Sequence, residues 1–379
     1  MDPTDALIEI ATLLERERAS RYRSKAFRTA AAAIAGLSAD ELADAAALRR
    51  RAGIGDSSFA VIQEALAGDV PRYLAELRAR YAPAPSALRG LLRGDLHCHS
   101  NWSDGTTSIA DMVGAARALG HEYLALTDHS PRLRVANGLS PERLREQLIE
   151  VAGFAGDGFT LLSGIEVDVL EGGDLDQEDA LLADLDVVVA SAHSKLRMDP
   201  APMTRRLVAA ASHPRVDVLG HVTGRLIAGD RGTRPPSQFD ARAVFDACAQ
   251  HGVAVEINAR PEREDPPDDL IALALERGCL FSIDSDAHAP GQLSLLDYGA
   301  ARAEEGAGQR QVPQRRERRR ARQGHERVVG QVHVVRQIER GRRAGARHAR
   351  QREQVLVGQV LVGHRQRGGR VQAGLRQGV

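Results

Sequence analysis

The sequence predicts an α/β fold, a parallel (β/α)7 barrel of seven strands preceded by a small all-α domain. The first observation is that short apolar strand patterns alternate with amphipathic helix patterns throughout residues 93–305. The second is that residues 1–82 carry only helical periodicity. The third is a linker at residues 83–92, which opens with a run rich in proline and alanine.

The N-terminal domain is predicted to contain four helices, at residues 5–19, 24–35, 40–51 and 57–67. Between the last two, Gly53, Ile54 and Gly55 predict a tight turn of the helix–hairpin–helix type, which exposes N–H groups at a helix N-terminus. Such a turn can bind a phosphate of a DNA end, or it can be a plain corner between helices. Asp56 places a negative charge beside it, so both interpretations stay open.

The barrel domain is predicted at residues 93–305 from seven strand patterns. They lie at residues 94–97, 123–126, 160–165, 187–190, 216–219, 254–257 and 280–283. Helix patterns intervene at residues 108–119, 141–155, 203–211, 241–251 and 268–276, and a last one covers residues 292–305. Enzymes built on parallel barrels carry their chemistry at the carboxyl ends of the strands.

The last segment, residues 306–379, differs in composition from the rest. It holds 19 arginines, no lysine and 4 glutamates, a net charge of +15, which leaves −15 on the first 305 residues. Every residue except Ile338 has a codon that begins with G or C, as expected when a GC-rich gene is read one frame off. We interpret the tail as frameshifted and disordered; resequencing the gene tests this. The rival interpretation is an Arg/Gln-rich arm that binds nucleic acid.

Composition also bears on location. No run of about 18 apolar residues occurs, so no membrane partner is predicted. The N-terminus lacks the basic and apolar regions of a secretory signal. The sequence contains an odd number of cysteines with no CxxC spacing: Cys98, Cys248 and Cys279. This favours free thiols and a cytoplasmic protein. The sequence leaves the oligomeric state undetermined.

Residues 94–105, GDLHCHSNWSDG, carry the strongest chemical pattern. Alternation along a strand places His97 and His99 on one face and Cys98 on the other, with Asp104 just beyond. Two imidazoles and a carboxylate form part of a metal site. Taken alone, the pattern is equally typical of two surface histidines where a strand ends.

The later strand ends decide between these interpretations. Of the nine histidines in residues 1–305, six lie at strand ends, whereas His121, His213 and His251 lie at helix ends and are predicted to be solvated or capping. Nine candidate ligands are too many for one tetrahedral ion and suit two or three divalent ions, Zn, Mn or Fe. Such clusters favour hydrolysis of phosphate esters. The candidates are His97, His99, Asp104, His129, Glu166, His193, His221, Asp286 and His288.

Basic residues follow two of these strand ends. Lys195 and Arg225 are predicted catalytic residues that clamp a phosphate, and Arg197 is as well explained by a solvated charge. Asp128, beside His129, is predicted either to support a ligand or to bind an outer ion.

The motifs HCHSNWSDG, TDHS, GIEVD, AHSK, GHVTG and SDAH, in this order, resemble the PHP (polymerase and histidinol phosphatase) family. Their context is most similar to the PHP domain at the C-terminus of bacterial family X DNA polymerases. The resemblance implies a distorted seven-stranded barrel with a trinuclear centre. It assigns one metal to His97, His99, Glu166 and Asp286, a second to Glu166, His193 and His221, and a third to Asp104, His129 and His288.

Residues 1–80 resemble the N-terminal helix–hairpin–helix domain of the same polymerases, through SRYRSKAFRTAAAAI and AGIGDSS. The nucleotidyl-transfer region that separates the two parts in that family is missing, so polymerase activity is not expected. The expected function is a metal-dependent phosphoesterase that processes DNA 3′ ends, as a 3′–5′ exonuclease or a 3′-phosphatase. The alternatives are a small-molecule phosphatase resembling histidinol-phosphate phosphatase and a non-catalytic DNA-binding module.

Overall fold

A computed structural model describes residues 1–16, 21–80, 86–154, 158–228, 232–308, 332–334 and 360–362. The first part of the predicted linker lies outside these residues. Most of the tail also lies outside the described residues, and so does the disorder that the sequence predicts for it. No helix in the described ranges combines the length and the apolar character that crossing a bilayer requires.

The N-terminal region is helical, as predicted. Its helices are α1 Pro3–Arg16, α2 Arg21–Ile34, α3 Ala39–Ala43, α4 Ala45–Arg50, α5 Asp56–Leu66 and α6 Arg72–Arg80. The predicted helix at residues 40–51 breaks at Asp44, whose side chain accepts a hydrogen bond from Ala47 N and so starts a new helix. Helix α6 was not predicted, although Leu74 and Leu77 give it a buried side at three-residue spacing.

Helix α1 lies at the centre of this helical region. Leu7, Ile10 and Leu14 are fully buried and belong to one apolar cluster with Ile62 of α5 and Leu77 of α6. Burying side chains of this size contributes roughly 1.5–3 kcal/mol each. The helical region therefore has a hydrophobic core of its own.

The glycine turn joins α4 to α5. Gly53 has a φ of +90°, and a Cβ there would lie 2.9 Å from Thr29 Cγ2, so this position requires glycine. Gly55 is the N-cap of α5, and its N–H donates to Ser58 Oγ at 3.0 Å. Asp56, with a side chain 90% exposed, pairs with Arg49 at 3.0 Å.

Seven parallel strands follow in sequence order and confirm the predicted barrel. They are β1 Gly94–Cys98, β2 Tyr123–Leu126, β3 Thr160–Asp168, β4 Val187–Ser191, β5 Val218–Leu219, β6 Ala254–Asn258 and β7 Leu280–Asp284. A bridge between Cys98 and Ala287, with His99 N donating to Ala287 O at 2.8 Å, closes the barrel between its first and last strands. Strand β3 ends three residues later than predicted and so includes Glu166.

The helices of the barrel region alternate with its strands. They are α7 Ile109–Ala118, α8 Pro141–Ala152, α9 Asp179–Leu182, α10 Pro200–Ala211, α11 Ala241–His251, α12 Asp268–Arg277 and α13 Leu296–Gly308. Helix α9 was not predicted, because four residues are too few to show a period. The predicted last helix begins as a 3₁₀ helix, Pro290–Leu295, and α13 then continues past the predicted boundary at residue 305.

Two short strands lie in the tail, β8 Val332–Val334 and β9 Val360–Val362. They pair antiparallel with each other, and β9 pairs with β7 at the edge of the sheet. Neither strand was predicted.

Candidate metal centre

Glu166 lies in the middle of a cluster of imidazoles at the carboxyl ends of the strands. It is part of β3, and its side chain is only 1% exposed. One oxygen, Oε2, lies 2.9 Å from His129 Nδ1, 3.4 Å from His97 Nε2 and 3.6 Å from His99 Nε2. The other, Oε1, lies 2.9 Å from His221 Nε2 and 3.2 Å from His193 Nε2.

The remaining predicted ligands join this cluster through two aspartates. Asp104 Oδ1 lies 3.4 Å from His129 Nε2 and 3.3 Å from His288 Nε2. Asp286 Oδ1 lies 3.4 Å from His99 Nε2 and 3.5 Å from His288 Nδ1. The structure thus brings all nine predicted ligands together at one end of the barrel.

Local backbone geometry explains why these side chains converge. A β-bulge between Asp95 and Cys98 gives β1 an extra residue against β2, which turns the strand end where His97 and His99 lie. Asp286 adopts a φ of 51°, a left-handed conformation that a non-glycine residue takes at some cost. Apart from His97 in β1 and Glu166 in β3, the ligands lie in the loops that follow the strands.

The donor set fits divalent ions. Several buried ligand atoms have no hydrogen-bond partner among the described residues, including His97 Nε2, both ring nitrogens of His99, and Glu166 Oε2. Buried polar atoms without a partner are costly, and coordination of an ion removes that cost. Ligand atoms within 4.8 Å of one another form three overlapping groups: His97, His99 and Glu166; His129, Glu166 and His193; and His99, Asp104, His129 and His288.

The electrostatics keep the carboxylates ionised. Burial alone would raise the pKa of Glu166, but the imidazoles of His193 and His97 hold it well below its ordinary value. Burial acts in the same direction on Asp286, and the guanidinium groups of Arg260 and Arg263 hold its pKa well below the usual range. Burial and the neighbouring His288 lower the pKa of His99 to about 3, so this ring is neutral and able to bind a metal.

Glu256 of β6 supports the centre, and sequence reasoning missed it. Its Oε1 lies 2.6 Å from His97 Nδ1, on the side of the ring away from Glu166. Its Oε2 accepts from His221 N at 2.5 Å and from Asn258 Nδ2 at 3.1 Å. A carboxylate in this position fixes the tautomer and the orientation of a metal-binding histidine. The available signal was an acid between apolar residues in the middle of a strand, AVEIN.

Asp128 acts on the loop that follows β1. It accepts from Ser100 N at 2.9 Å, from Ser103 Oγ at 2.5 Å and from Gln147 Nε2 at 2.6 Å. Of the two roles considered for Asp128, these bonds favour support, because they occupy its oxygens and position the loop that carries Asp104.

The predicted phosphate-binding cations lie in different settings. Lys195 has a side chain 64% exposed, and its Nζ lies 4.0 Å from Glu171. Arg225 is 16% exposed; its Nε donates to Arg263 O at 2.9 Å and its Nη2 donates to Glu264 O. Two of its guanidinium nitrogens are thus bonded to backbone carbonyls, and the phosphate contact of Arg225 stays a prediction. Arg197 is exposed.

Two further arginines lie beside the centre and were also missed. Arg263 Nε lies 3.2 Å from Asp286 Oδ2. Arg260 Nη1 lies 3.1 Å from His288 Nδ1. Both follow β6, whose end carries no histidine, so the search for metal ligands passed over this loop.

The three histidines at helix ends differ from one another. His251 is exposed, as a solvated residue would be, whereas the side chain of His213 is only 22% exposed and its Nε2 lies 3.4 Å from Asp179 Oδ1. His121 is instead buried, so its predicted solvation is wrong. Burial and the nearby Arg89 lower its pKa to about 4.

Cys98 points away from the centre, as strand alternation predicts. Its thiol donates to Ala125 O at 3.2 Å and lies in an apolar cluster with Ile109 and Met112 of α7. The cluster of ligands therefore contains only nitrogen and oxygen donors.

Comparisons with known proteins agree with this site. A family model described as the PHP domain matches residues 95–260. The chain is 38% identical over 219 residues to the DNA polymerase/3′-5′ exonuclease PolX of Bacillus subtilis, covering 57% of this chain but only 38% of that relative. It is 30% identical over 204 residues to a probable phosphatase of Edwardsiella ictaluri, covering 51% of this chain and 78% of the relative.

Among solved structures, the chain aligns with a histidinol phosphate phosphatase from Lactococcus lactis complexed with zinc, L-histidinol and phosphate. The TM-score is 0.42 at 18% identity, and the alignment covers 56% of this chain and 93% of that chain.

The barrel, its cluster of ligands and the matched relatives define a hydrolase that acts on phosphate ester bonds. More narrowly, the chain belongs to the PHP family, because it covers most of a relative to which it is 30% identical. It spans little more than a third of the length of the Bacillus subtilis relative.

Proposed function

We propose that this protein processes DNA 3′ ends, as a 3′–5′ exonuclease or a 3′-phosphatase, with residues 1–82 as a DNA-binding domain. The observation that carries the proposal is the set of nine ligands around Glu166, together with a helical region that presents a glycine turn. The similarity to a relative named as a 3′-5′ exonuclease supports the choice of DNA as the substrate.

The ligands divide into three groups in this proposal, of which the first two share Glu166. One ion is held by His97, His99, Glu166 and Asp286, a second by Glu166, His193 and His221, and a third by Asp104, His129 and His288. Two or three divalent ions, Zn, Mn or Fe, suit this mixture of imidazole and carboxylate. Such ions, when bound, supply a water of lowered pKa and positive charge against the phosphoryl oxygens.

The chain's own residues orient the substrate. Lys195 is free to reach a phosphate, since its Nζ only approaches Glu171, at 4.0 Å. Arg225 keeps the loop at residues 263–264 in place through its bonds to two carbonyls. That loop carries Arg263, which holds Asp286. Removal of Arg225 therefore acts on a proposed metal ligand through the loop.

Gly53, Ile54 and Gly55 are proposed to contact the phosphates of a DNA end. Gly55 caps α5 with no side-chain bond to the first N–H groups of the helix, and such groups can bind an anion. Asp56 opposes an anion there, although its pair with Arg49 at 3.0 Å reduces that effect. Replacing Asp56 with asparagine should tighten DNA binding if the turn contacts phosphate.

One experiment tests the activity. The full chain with Mn²⁺ is given a 3′-recessed DNA, a 3′-phosphorylated DNA and histidinol phosphate, beside a His193→Ala control. Release of nucleotides or of phosphate from DNA by the wild type alone supports the proposal. Turnover of histidinol phosphate only would overturn the choice of DNA, and no difference from His193→Ala would leave a non-catalytic DNA-binding module.

A small-molecule phosphatase is the second candidate. The similarity to a probable phosphatase covers 78% of that protein and involves only part of this chain. The net charge of −15 on residues 1–305 also disfavours a long DNA contact. In the same assay, this candidate predicts that the small ester is the best substrate.

A further inference from the structure

Helix α1 of the helical region touches the loop that carries two proposed metal ligands. The 3₁₀ helix Pro290–Leu295 begins two residues after His288, and Gly291 in it lies directly against α1. Gly291 N donates to Glu15 Oε2 at 2.8 Å, and both groups are buried. This bond joins two parts of the fold that are 276 residues apart in the chain.

Glu15 is buried and is held in one position by a neighbouring arginine. It is 4% exposed, and Arg28 of α2 holds it in place with two bonds, at 2.6 Å and 2.7 Å. A paired, buried carboxylate is a stronger acceptor than a neutral group, and its bidentate geometry with arginine restrains it. The acceptor for Gly291 is therefore held by a partner within the helical region itself.

Gly291 is equally specific. A Cβ at this position would lie 2.2 Å from Thr12 O and 2.8 Å from Thr12 C. These are backbone atoms of α1, so they cannot give way as the end of a flexible side chain would. Alanine at 291 would force α1 away from the loop.

The contact continues to His288. Gln292, next to Gly291, accepts from His288 N at 2.8 Å through its side-chain oxygen. His288 O in turn accepts from Thr106 N at 2.8 Å, on the loop that carries Asp104. A displacement of residues 291–292 would therefore reach His288 and Asp104, which lie 3.3 Å apart.

We infer that α1 is a structural part of the metal centre, and that Glu15 and Gly291 are positioning residues for His288. This inference rests on the proposed metal site. It predicts that separating α1 from the barrel weakens the ion held by Asp104, His129 and His288, and that binding of this ion in turn stabilises α1 on the barrel.

The test uses the full chain and Mn²⁺ binding by equilibrium dialysis. Glu15→Gln and Gly291→Ala should weaken the affinity for the last Mn²⁺ equivalent by about tenfold. This is the lower end of the loss expected when a residue that supports a metal ligand is replaced. Two matched controls should change it less than twofold. Glu9→Gln removes another bidentate pair of α1, with Arg78, and Gly114→Ala adds a methyl where nothing lies within 4 Å.

A second measurement compares the wild-type chain with one variant. Hydrogen exchange of the amides of α1 should slow when Mn²⁺ is added to the wild-type chain, and this effect should be lost in Glu15→Gln. Exchange in α1 that does not respond to Mn²⁺, with unchanged Mn²⁺ binding in Glu15→Gln, overturns the inference. A His288→Ala chain that binds as much Mn²⁺ as the wild type would instead overturn the proposed metal site.

Discussion

Replacing Glu256 with glutamine tests how the barrel orients its ligands. Glu256 Oε2 accepts from both His221 N and Asn258 Nδ2, so the amide oxygen of glutamine must occupy that side. The NH₂ group then faces His97 Nδ1, across the present 2.6 Å contact. His97 is forced to accept there, which moves its proton to Nε2, the nitrogen that faces Glu166.

The expected loss of metal affinity follows from the free energy of the hydrogen bond that the substitution removes. A hydrogen bond to a charged group contributes about 1.5–3 kcal/mol, and the substitution also imposes the tautomer that cannot bind a metal. A cost of about 2 kcal/mol corresponds to roughly a 30-fold weaker affinity for the ion at His97. We therefore expect Mn²⁺ to bind about 30-fold more weakly in Glu256→Gln, with a similar loss in kcat/KM at limiting metal.

The matched control is Glu122→Gln, which removes an exposed carboxylate paired with Arg93 at 2.9 Å before β2 begins. It should bind Mn²⁺ as the wild type does. Excess Mn²⁺ should restore part of the activity of Glu256→Gln. If Glu256→Gln binds Mn²⁺ within threefold of the wild type, Glu256 does not set the state of His97 and this reasoning is wrong.

Three further outcomes are expected. Glu166→Gln should lower kcat more than any other single ligand substitution, because five imidazoles lie within 3.6 Å of its oxygens. Metal analysis of the variant shows whether bound ions are lost with the activity. Near-normal rates would refute this prediction. Lys195→Ala should raise KM several-fold with unchanged Mn²⁺ content, as an exposed phosphate contact implies. Because the pKa of His121 falls from 6.5 to about 4 on folding, the unfolded chain takes up this proton first as the pH drops. The free energy of unfolding should therefore decrease from about pH 6.5 to pH 4, by up to about 3 kcal/mol, and urea titrations should show a flatter profile in His121→Gln.

The barrel was predictable because its signals are local. Each strand is a short apolar run between helix patterns, and parallel strands bring their carboxyl ends together, so His97 and His288 could be placed at one end of the barrel from sequence alone. Asp44 shows the limit of periodicity. The apolar pattern continues through it, but its side chain satisfies the N–H of Ala47 and divides the helix in two.

The supporting groups could not be predicted in the same way. Glu256 and Arg263 act through partners on other strands, and nothing in their own neighbourhoods names those partners. Arg225 follows a strand end as a phosphate ligand would, and nothing in the sequence indicates its bonds to backbone carbonyls. His121 precedes a strand as a solvated residue would, yet it is buried in the folded chain. Such outcomes depend on which side chains meet after folding.

The position of Cys98 bears on how readily its thiol can be oxidised. Manganese or iron beside a thiolate would promote its conversion to sulfenic acid. Here the sulfur lies between two ligands in sequence but on the opposite face of β1, and burial holds its pKa well above the ordinary value. A protonated, enclosed thiol reacts slowly with oxidants. The alternation of a single strand thus places a thiol between two proposed metal ligands in sequence while keeping it protonated and turned away from them.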